Sequence, residues 1–239
     1  MRRPPTPPRA FVLAGDPELT WLQPAPDSLL AATTSDPATV VAARETMRLA
    51  FVAVLQLLPP RQRAVLILRD VLGWSAAEVA ALLNLSVAAV NSALQRARSH
   101  LPADTDLLVQ PSEQRQRELL DRYVAAFQNA DVDELVAVLT EDALYEMPPF
   151  ITWFQGSAAI GAFLGRRMRG FGKIPVIRTT ANGQPAVALY PATADGQHRL
   201  HALHVLTLAS QGVGRIVAFM DIDTLRRFDL PDVLLPEAT

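Results

Sequence analysis

Apolar residues recur at helical spacing through much of the first hundred positions and at strand spacing through much of the last hundred. Over residues 37–58 the stripe Val41, Met47, Leu49, Val52, Leu55 and Leu58 predicts a helix. Pro59-Pro60 ends it, because the residue before a proline resists the α region. A second helix is predicted over 61–71, with Val65, Leu66, Leu68 and Leu72 on its apolar side and Gly73 as its stop. Ser75 with Glu78 three positions on reads as the capping box of a third helix, and Ser86 caps a fourth. Their stripes, Val79, Leu82 and Leu83 and then Val90, Leu94 and Ala97, are separated by a very short turn. Two helices held that tightly predict a helix-turn-helix.

From Ser112 the pattern changes. Helices are predicted over 112–130 (Leu119, Leu120, Tyr123, Phe127) and 133–139, then strands over 143–147, 175–181, 185–191, 198–209 and 214–219, interrupted by a helix over 157–168. Asn182-Gly183, Asp195-Gly196 and Gln211-Gly212 stand between the later strands, and such pairs are the strongest short hairpin signals. Helices first and a mostly antiparallel sheet afterwards describe an α+β domain.

Composition narrows the partners. The 239 residues suffice for two modest cores, and a net charge of −2 argues against a surface that binds nucleic acid everywhere, leaving a local basic face to be sought. No cysteine is present, which excludes disulfides and thiolate sites and suits a reducing compartment. No apolar run reaches the ~18 residues of a membrane span, and the start lacks the apolar region of a secretory signal. The expected location is cytoplasmic, with no membrane partner.

On the fourth helix, Asn91, Ser92, Gln95 and Arg96 fall opposite the stripe formed with Val79, Leu83 and Leu85. Asn and Gln can bond adenine edges bidentately, Arg guanine, and Ser several edges. Arg98, Ser75, and the helix start at Ser86, Val87 and Ala88 suit phosphate contacts. An ordinary helical hairpin with a solvated outer face would show the same spacing. Beyond the spacing, the stretch from Leu58 to Arg98 resembles region four of extracytoplasmic-function (ECF) sigma factors. The matching pieces are Leu58-Pro59-Pro60-Arg61-Gln62-Arg63, Leu68-Arg69-Asp70, Gly73, Glu78-Val79-Ala80, and Val90, Ser92, Leu94 and Arg96-Ala97-Arg98. The resemblance implies binding to the promoter −35 element and to the flap of core RNA polymerase, with base reading by Asn91, Ser92, Gln95 and Arg96. Asn91 and Ala93 stand where basic residues are frequent in that family, so backbone attraction should be weaker. Trp21-Leu22-Gln23-Pro24-Ala25-Pro26-Asp27 resembles the linker between regions two and four in the subgroup with a C-terminal extension. Region two would precede it and is not found in residues 1–20, which implies either a truncated chain or a remnant that binds DNA without initiating transcription.

The second half, 112–230, resembles the SnoaL-like branch of the NTF2-like fold, a cone-shaped arrangement of helices and curved sheet around a pocket. The pieces are Leu139-Thr140-Glu141-Asp142-Ala143, Met147-Pro148-Pro149, Trp153-Phe154-Gln155-Gly156, Ala181-Asn182-Gly183-Gln184-Pro185-Ala186, Ile216-Val217-Ala218-Phe219 and Arg227-Phe228-Asp229-Leu230-Pro231. Extended sigma factors carry such a domain here, so the two resemblances support each other. The fold hosts enzymes and inert binding modules alike. Met147, Phe150, Trp153, Phe154, Phe163, Met168, Tyr190 and His204 are the candidate pocket lining, an aromatic and thioether set suited to a small apolar ligand or to the protein's own linker.

For acid–base chemistry the available groups are Asp142, Glu146, Asp221, Asp223, His201 and His204. Asp142 is expected to open a strand and Asp221 and Asp223 to cap the last helix, while His204, inside an apolar run, is expected indoors. His198, His201 and His204 mimic a metal triad, but strand alternation sends His201 to the opposite face, so no metal is expected. Gly156, Gly161 and Gly165 mimic a phosphate loop but lack the following Lys-Ser/Thr, and are expected to allow close helix packing.

The expectation is therefore a multidomain chain. Residues 1–36 form a disordered tail, 37–101 the all-α helix-turn-helix unit, 102–111 a linker, 112–231 the SnoaL-like domain and 232–239 a second tail. The unit reads promoter DNA, the domain regulates, and neither catalysis nor a cofactor is expected. The rival is a SnoaL-like isomerase or cyclase fused to a DNA-binding module.

Overall fold

The structure, a computed structural model, describes residues 23–30, 58–99, 111–150 and 152–234. Except for Leu58, the helix expected before Pro59 lies outside the described residues. So does most of the expected linker after Arg98.

Within the expected N-terminal tail, residues 23–26 lead into a single helical turn, α1 (Asp27–Leu30). This segment is not free chain. Pro26 forms an antiparallel bridge with Ala181, and Gly183 N–H donates to the Asp27 carboxylate at 2.8 Å. Periodicity carries no trace of such docking, because its partners lie more than 150 positions away.

The helical unit begins with α2 (Pro60–Leu66), with Pro60 at its first position, where a missing N–H is harmless. It runs on into a π-helical turn, Ile67–Val71, closed by Leu72 N–H on the Ile67 carbonyl at 3.0 Å. Gly73 reverses the chain with φ of 69°. The predicted capping box opens α3 (Ala76–Leu83): Glu78 N–H donates to Ser75 Oγ at 3.2 Å and Ser75 N–H to the Glu78 carboxylate at 2.7 Å. After a left-handed Asn84, Ser86 caps α4 (Val87–Arg98). The axes of α3 and α4 turn by 102°, within the range of helix-turn-helix motifs. Leu58, Val65, Leu66, Val79, Val90, Leu94 and Ala97 are buried together, with Leu83 and Leu85 packed at the margin. Leu82, expected inside, is exposed, and Ala93, expected outside, is buried. Ala93 widens the inner face of α4 beside the expected Val90, Leu94 and Ala97, all of which are buried.

In the second unit α5 (Glu113–Asn129) and α6 (Val132–Val138) lead into β1 (Leu139–Glu146) and a short β2 (Trp153–Gln155), then α7 (Ser157–Phe171). β3 (Val176–Ala181) and β4 (Gln184–Leu189) form the hairpin expected at Asn182-Gly183, both of which take positive φ. The run expected as one strand over 198–209 is two, β5 (His198–Arg199) and β6 (Ala202–Leu208), followed by β7 (Val213–Phe219), α8 (Ile222–Leu225) and β8 (Val233–Leu234). β8 pairs with β5, so the start of the expected C-terminal tail is ordered by sheet pairing. The large sheet has the order β2-β1-β7-β6-β4-β3, antiparallel except between β1 and β7.

That sheet separates two cores. Leu206 and Leu208 of β6 face α5–α7, whereas Leu203 and Val205 face Tyr190, Leu225 and Phe228 on the other side. Helix α7 lies close on α6 because Gly161 and Gly165 have no side chain. A Cβ at Gly161 would stand 2.2 Å from Val136 Cγ2, and one at Gly165 3.2 Å from Val132 Cγ1.

Candidate functional site

In the helical unit Asn91, Ser92, Gln95 and Arg96 are all exposed on α4, opposite the buried Val90, Ala93, Leu94 and Ala97. At the start of α4, Ser86 Oγ accepts from Ala89 N–H at 3.1 Å and the Ser86 carbonyl from Val90 N–H at 3.0 Å. The N–H groups of Val87 and Ala88 stay outside the helix's own ladder, as the first turn of any helix leaves them. Two of the residues expected at the DNA also have partners within the unit. Arg98 is bound bidentately to Asp70, at 3.0 and 2.8 Å, so its guanidinium braces α4 against the π-helical turn. Ser75 carries the Glu78 carboxylate on its N–H, a negative charge that opposes a phosphate there.

In the second unit the sheet and α5, α7 line a half-open hollow of about 60 Å³. Of the eight expected lining residues it brings together Met147, Phe163, Met168 and His204. Phe154 is stacked behind Phe163 at 4.4 Å and Phe150 packs against the core margin. Trp153 is exposed on an edge strand, and Tyr190 is buried on the opposite face of the sheet. The described part of the linker docks on β3, away from the hollow. Unforeseen members are Phe127, Tyr145, Arg167, Phe171, His201 and Met220 among others. Tyr145 was detectable, since it shares strand parity with Ala143 and Met147. Arg167 was not, being one of four arginines or lysines around the end of α7.

His204 sits at the base. Tyr123 Oη lies 2.8 Å from its Nδ1 and Tyr145 Oη 3.3 Å from its Nε2, with all three side chains buried. Burial pushes the ring's pKa down to about 3, with His201 adding a smaller push, so His204 is neutral at pH 7 and offers one donor and one acceptor. One tyrosine donates to the ring and the other accepts from it, according to the tautomer. The tyrosine that accepts keeps its own proton free, and of the two Tyr145 lines the hollow. Burial likewise holds both tyrosine hydroxyls well above their usual pKa. A histidine with both nitrogens engaged and so low a pKa is a poor general base.

His201, expected on the far face, also lines the hollow, because the strand is broken between Arg199 and Ala202 and the alternation does not carry across. Its ring lies against Phe171, and burial, with help from the Arg167 charge, lowers its pKa. His198 instead points its Nδ1 at the Tyr190 carbonyl, 3.0 Å away. Among the described residues no three His, Asp or Glu converge as metal ligands. The carboxylates considered for chemistry stand elsewhere: Glu146 pairs with Arg215 at 2.6 Å, Asp221 caps α8, Asp223 pairs with Arg226, and Asp142 is exposed. None of the residues lining the hollow is acidic.

Residues 48–101 match the sigma-70 region 4 family and residues 120–219 the SnoaL-like domain family. The chain is 46% identical over 223 residues to the ECF RNA polymerase sigma factor SigG of Mycobacterium tuberculosis, a match covering 91% of this chain and 60% of that protein. It is 34% identical over 126 residues to SigJ of the same organism, covering 53% of this chain and 40% of SigJ. The crystal structure of SigJ superposes with a TM-score of 0.64 at 23% identity over 92% of this chain and 78% of that one, which is a likeness of fold. The chain thus spans less than two thirds of the curated relatives it matches. It carries a sigma-70 region 4 followed by a SnoaL-like domain.

Proposed function

We propose that this chain is the promoter-reading and regulatory part of an ECF RNA polymerase sigma factor, acting in the cytoplasm. The observation that carries the reading is the exposed Asn91, Ser92, Gln95 and Arg96 row on the second helix of a 102° helix pair, inside a sigma-70 region 4 match. Helix α4 enters the major groove at a −35 element, those four side chains read base edges, and the amides of Val87 and Ala88 hold a phosphate. Core polymerase is the protein partner, a reading supported by the likeness to the ECF RNA polymerase sigma factors SigG and SigJ. With Arg98 tied to Asp70, few cations remain for the backbone, so the log–log salt slope corresponds to about 2 to 4 phosphates.

The SnoaL-like domain serves as a ligand-binding regulator and turns nothing over. What supports this is the engaged, unprotonated His204 and the lack of an acidic side chain around the hollow. The test is fluorescence anisotropy of the full chain on −35-like duplexes. Gln95→Ala and Arg96→Ala are expected to lose about 1–3 kcal/mol and relax sequence preference. Equal binding to all duplexes at low salt overturns the base-reading assignment. Consumption of a pocket compound at a rate abolished by His204→Ala or His201→Ala would establish the enzymatic rival.

A further inference from the structure

The hollow of the SnoaL-like domain is lopsided in chemistry. Its wall is made of aromatic and thioether side chains, Phe127, Phe163, Phe171, Met147, Met168 and Met220, which adapt to a flat or flexible apolar body. Its charge is a single permanent cation. Arg167 lies exposed at the rim, its guanidinium carbon 5.7 Å from the centroid of the Phe163 ring, and no carboxylate pairs with it among the described residues. Most other arginines of this domain have found acids: Arg115, Arg117, Arg122, Arg178, Arg199, Arg215 and Arg226 all stand in ion pairs. The field of Arg167 reaches across the hollow to His201 and Tyr145. Tyr145 adds a hydroxyl at the hollow whose proton is free in the tautomer that turns His204 Nε2–H toward its oxygen.

We propose that this hollow binds a small monocarboxylic acid, its ring or short chain among the phenylalanines and methionines and its carboxylate on Arg167, with Tyr145 as a second donor. An apolar body alone would be served as well by a neutral rim. A cationic ligand would meet Arg167 with no acid to receive it, and a guanidinium beside a half-enclosed apolar wall favours a planar anion. The proposal deepens the reading of this domain as a ligand-binding regulator and rests on it.

The test uses the full chain carrying ¹³C-methyl methionine, with Met147, Met168 and Met220 assigned by single Met→Leu variants. The probes are 4-phenylbutyrate and its neutral counterpart 4-phenylbutanol. Saturable shifts of the three pocket methyl signals are expected with the acid, at an affinity about tenfold or more above that for the alcohol, the size of one charge-assisted contact. Arg167→Gln should erase the difference between the probes, lowering the acid's affinity and leaving the alcohol's unchanged, which a merely structural role would not do. Arg167→Lys should restore part of it. Equal binding of acid and alcohol by the unaltered chain, or no pocket shift at millimolar acid, overturns the proposal. Neither result bears on DNA reading by α4, which anisotropy on promoter duplexes decides separately.

Discussion

Asn182 and Ala25 exchange two hydrogen bonds. Ala25 N–H donates to Asn182 Oδ1 at 2.9 Å, and Asn182 N–H returns to the Ala25 carbonyl at 3.0 Å. The chain before the helical unit is thereby pinned at the β3–β4 turn of the domain that follows that unit, with Pro26 bridged to Ala181, the last residue of β3. Asn182 holds φ of 54°, so glycine keeps the backbone while removing the acceptor. Asn182→Gly combined with Asp27→Ala removes both side-chain acceptors. Amide exchange at Ala25 and Gly183 should then quicken about tenfold or more, since each lost bond is worth roughly 1 kcal/mol. Unchanged protection would mean that the docking rests on the backbone bridge alone.

A second prediction concerns the seam between α6 and α7. Because a Cβ at Gly161 would lie 2.2 Å from Val136 Cγ2, Gly161→Ala should destabilise the domain by about 1–3 kcal/mol despite alanine's better helix propensity. Adding Val136→Ala makes room, so the double variant should melt above Gly161→Ala alone. A double variant that melts lower still would show that α7 shifts bodily and that the glycines are not the spacing element.

What the sequence made legible was local. Ser75 and Glu78 announce a capping box, Asn182-Gly183 a hairpin, and Gly161 with Gly165 a close helix pair, because each motif satisfies its own neighbours. The contents of the pocket were less legible. Tyr123 reads as one more apolar position on α5, and nothing in its neighbourhood tells that its hydroxyl meets His204 eighty-one positions on. His201 was assigned to the wrong face because period-two counting assumes an unbroken strand, and the break at Leu200-His201 resets it. The Arg98–Asp70 pair was not legible either, because the acid lies on another helix.

That pair yields a third prediction. Arg98 and Asp70 are partly exposed, 56% and 24%, so the bridge contributes about 0.5–1 kcal/mol after solvent screening. Arg98→Ala and Asp70→Ala should each lower the melting temperature slightly, and the double variant should lose less than the sum. If Arg98 served phosphate instead, Arg98→Ala would leave stability unchanged and lower the salt slope of DNA binding by about one.

The fourth prediction follows from His204. Its pKa is about 3 in the folded chain, depressed by burial, against an ordinary value of 6.5, so the unfolded chain binds a proton that the folded chain refuses between those values. The linked stability is therefore fully present above pH 6.5 and is lost progressively as pH falls toward 3, with a slope of at most about 1.4 kcal/mol per pH unit. His204→Gln keeps a donor and an acceptor between Tyr123 and Tyr145 but does not titrate. It should be less stable than the unaltered domain at pH 7.5, where two fitted hydrogen bonds are replaced by poorer ones, yet lose less stability on going to pH 5. Urea unfolding of the two proteins at both pH values measures this. Parallel pH dependences would place the acid sensitivity elsewhere and show that water reaches the Tyr123–His204–Tyr145 cluster in the folded chain.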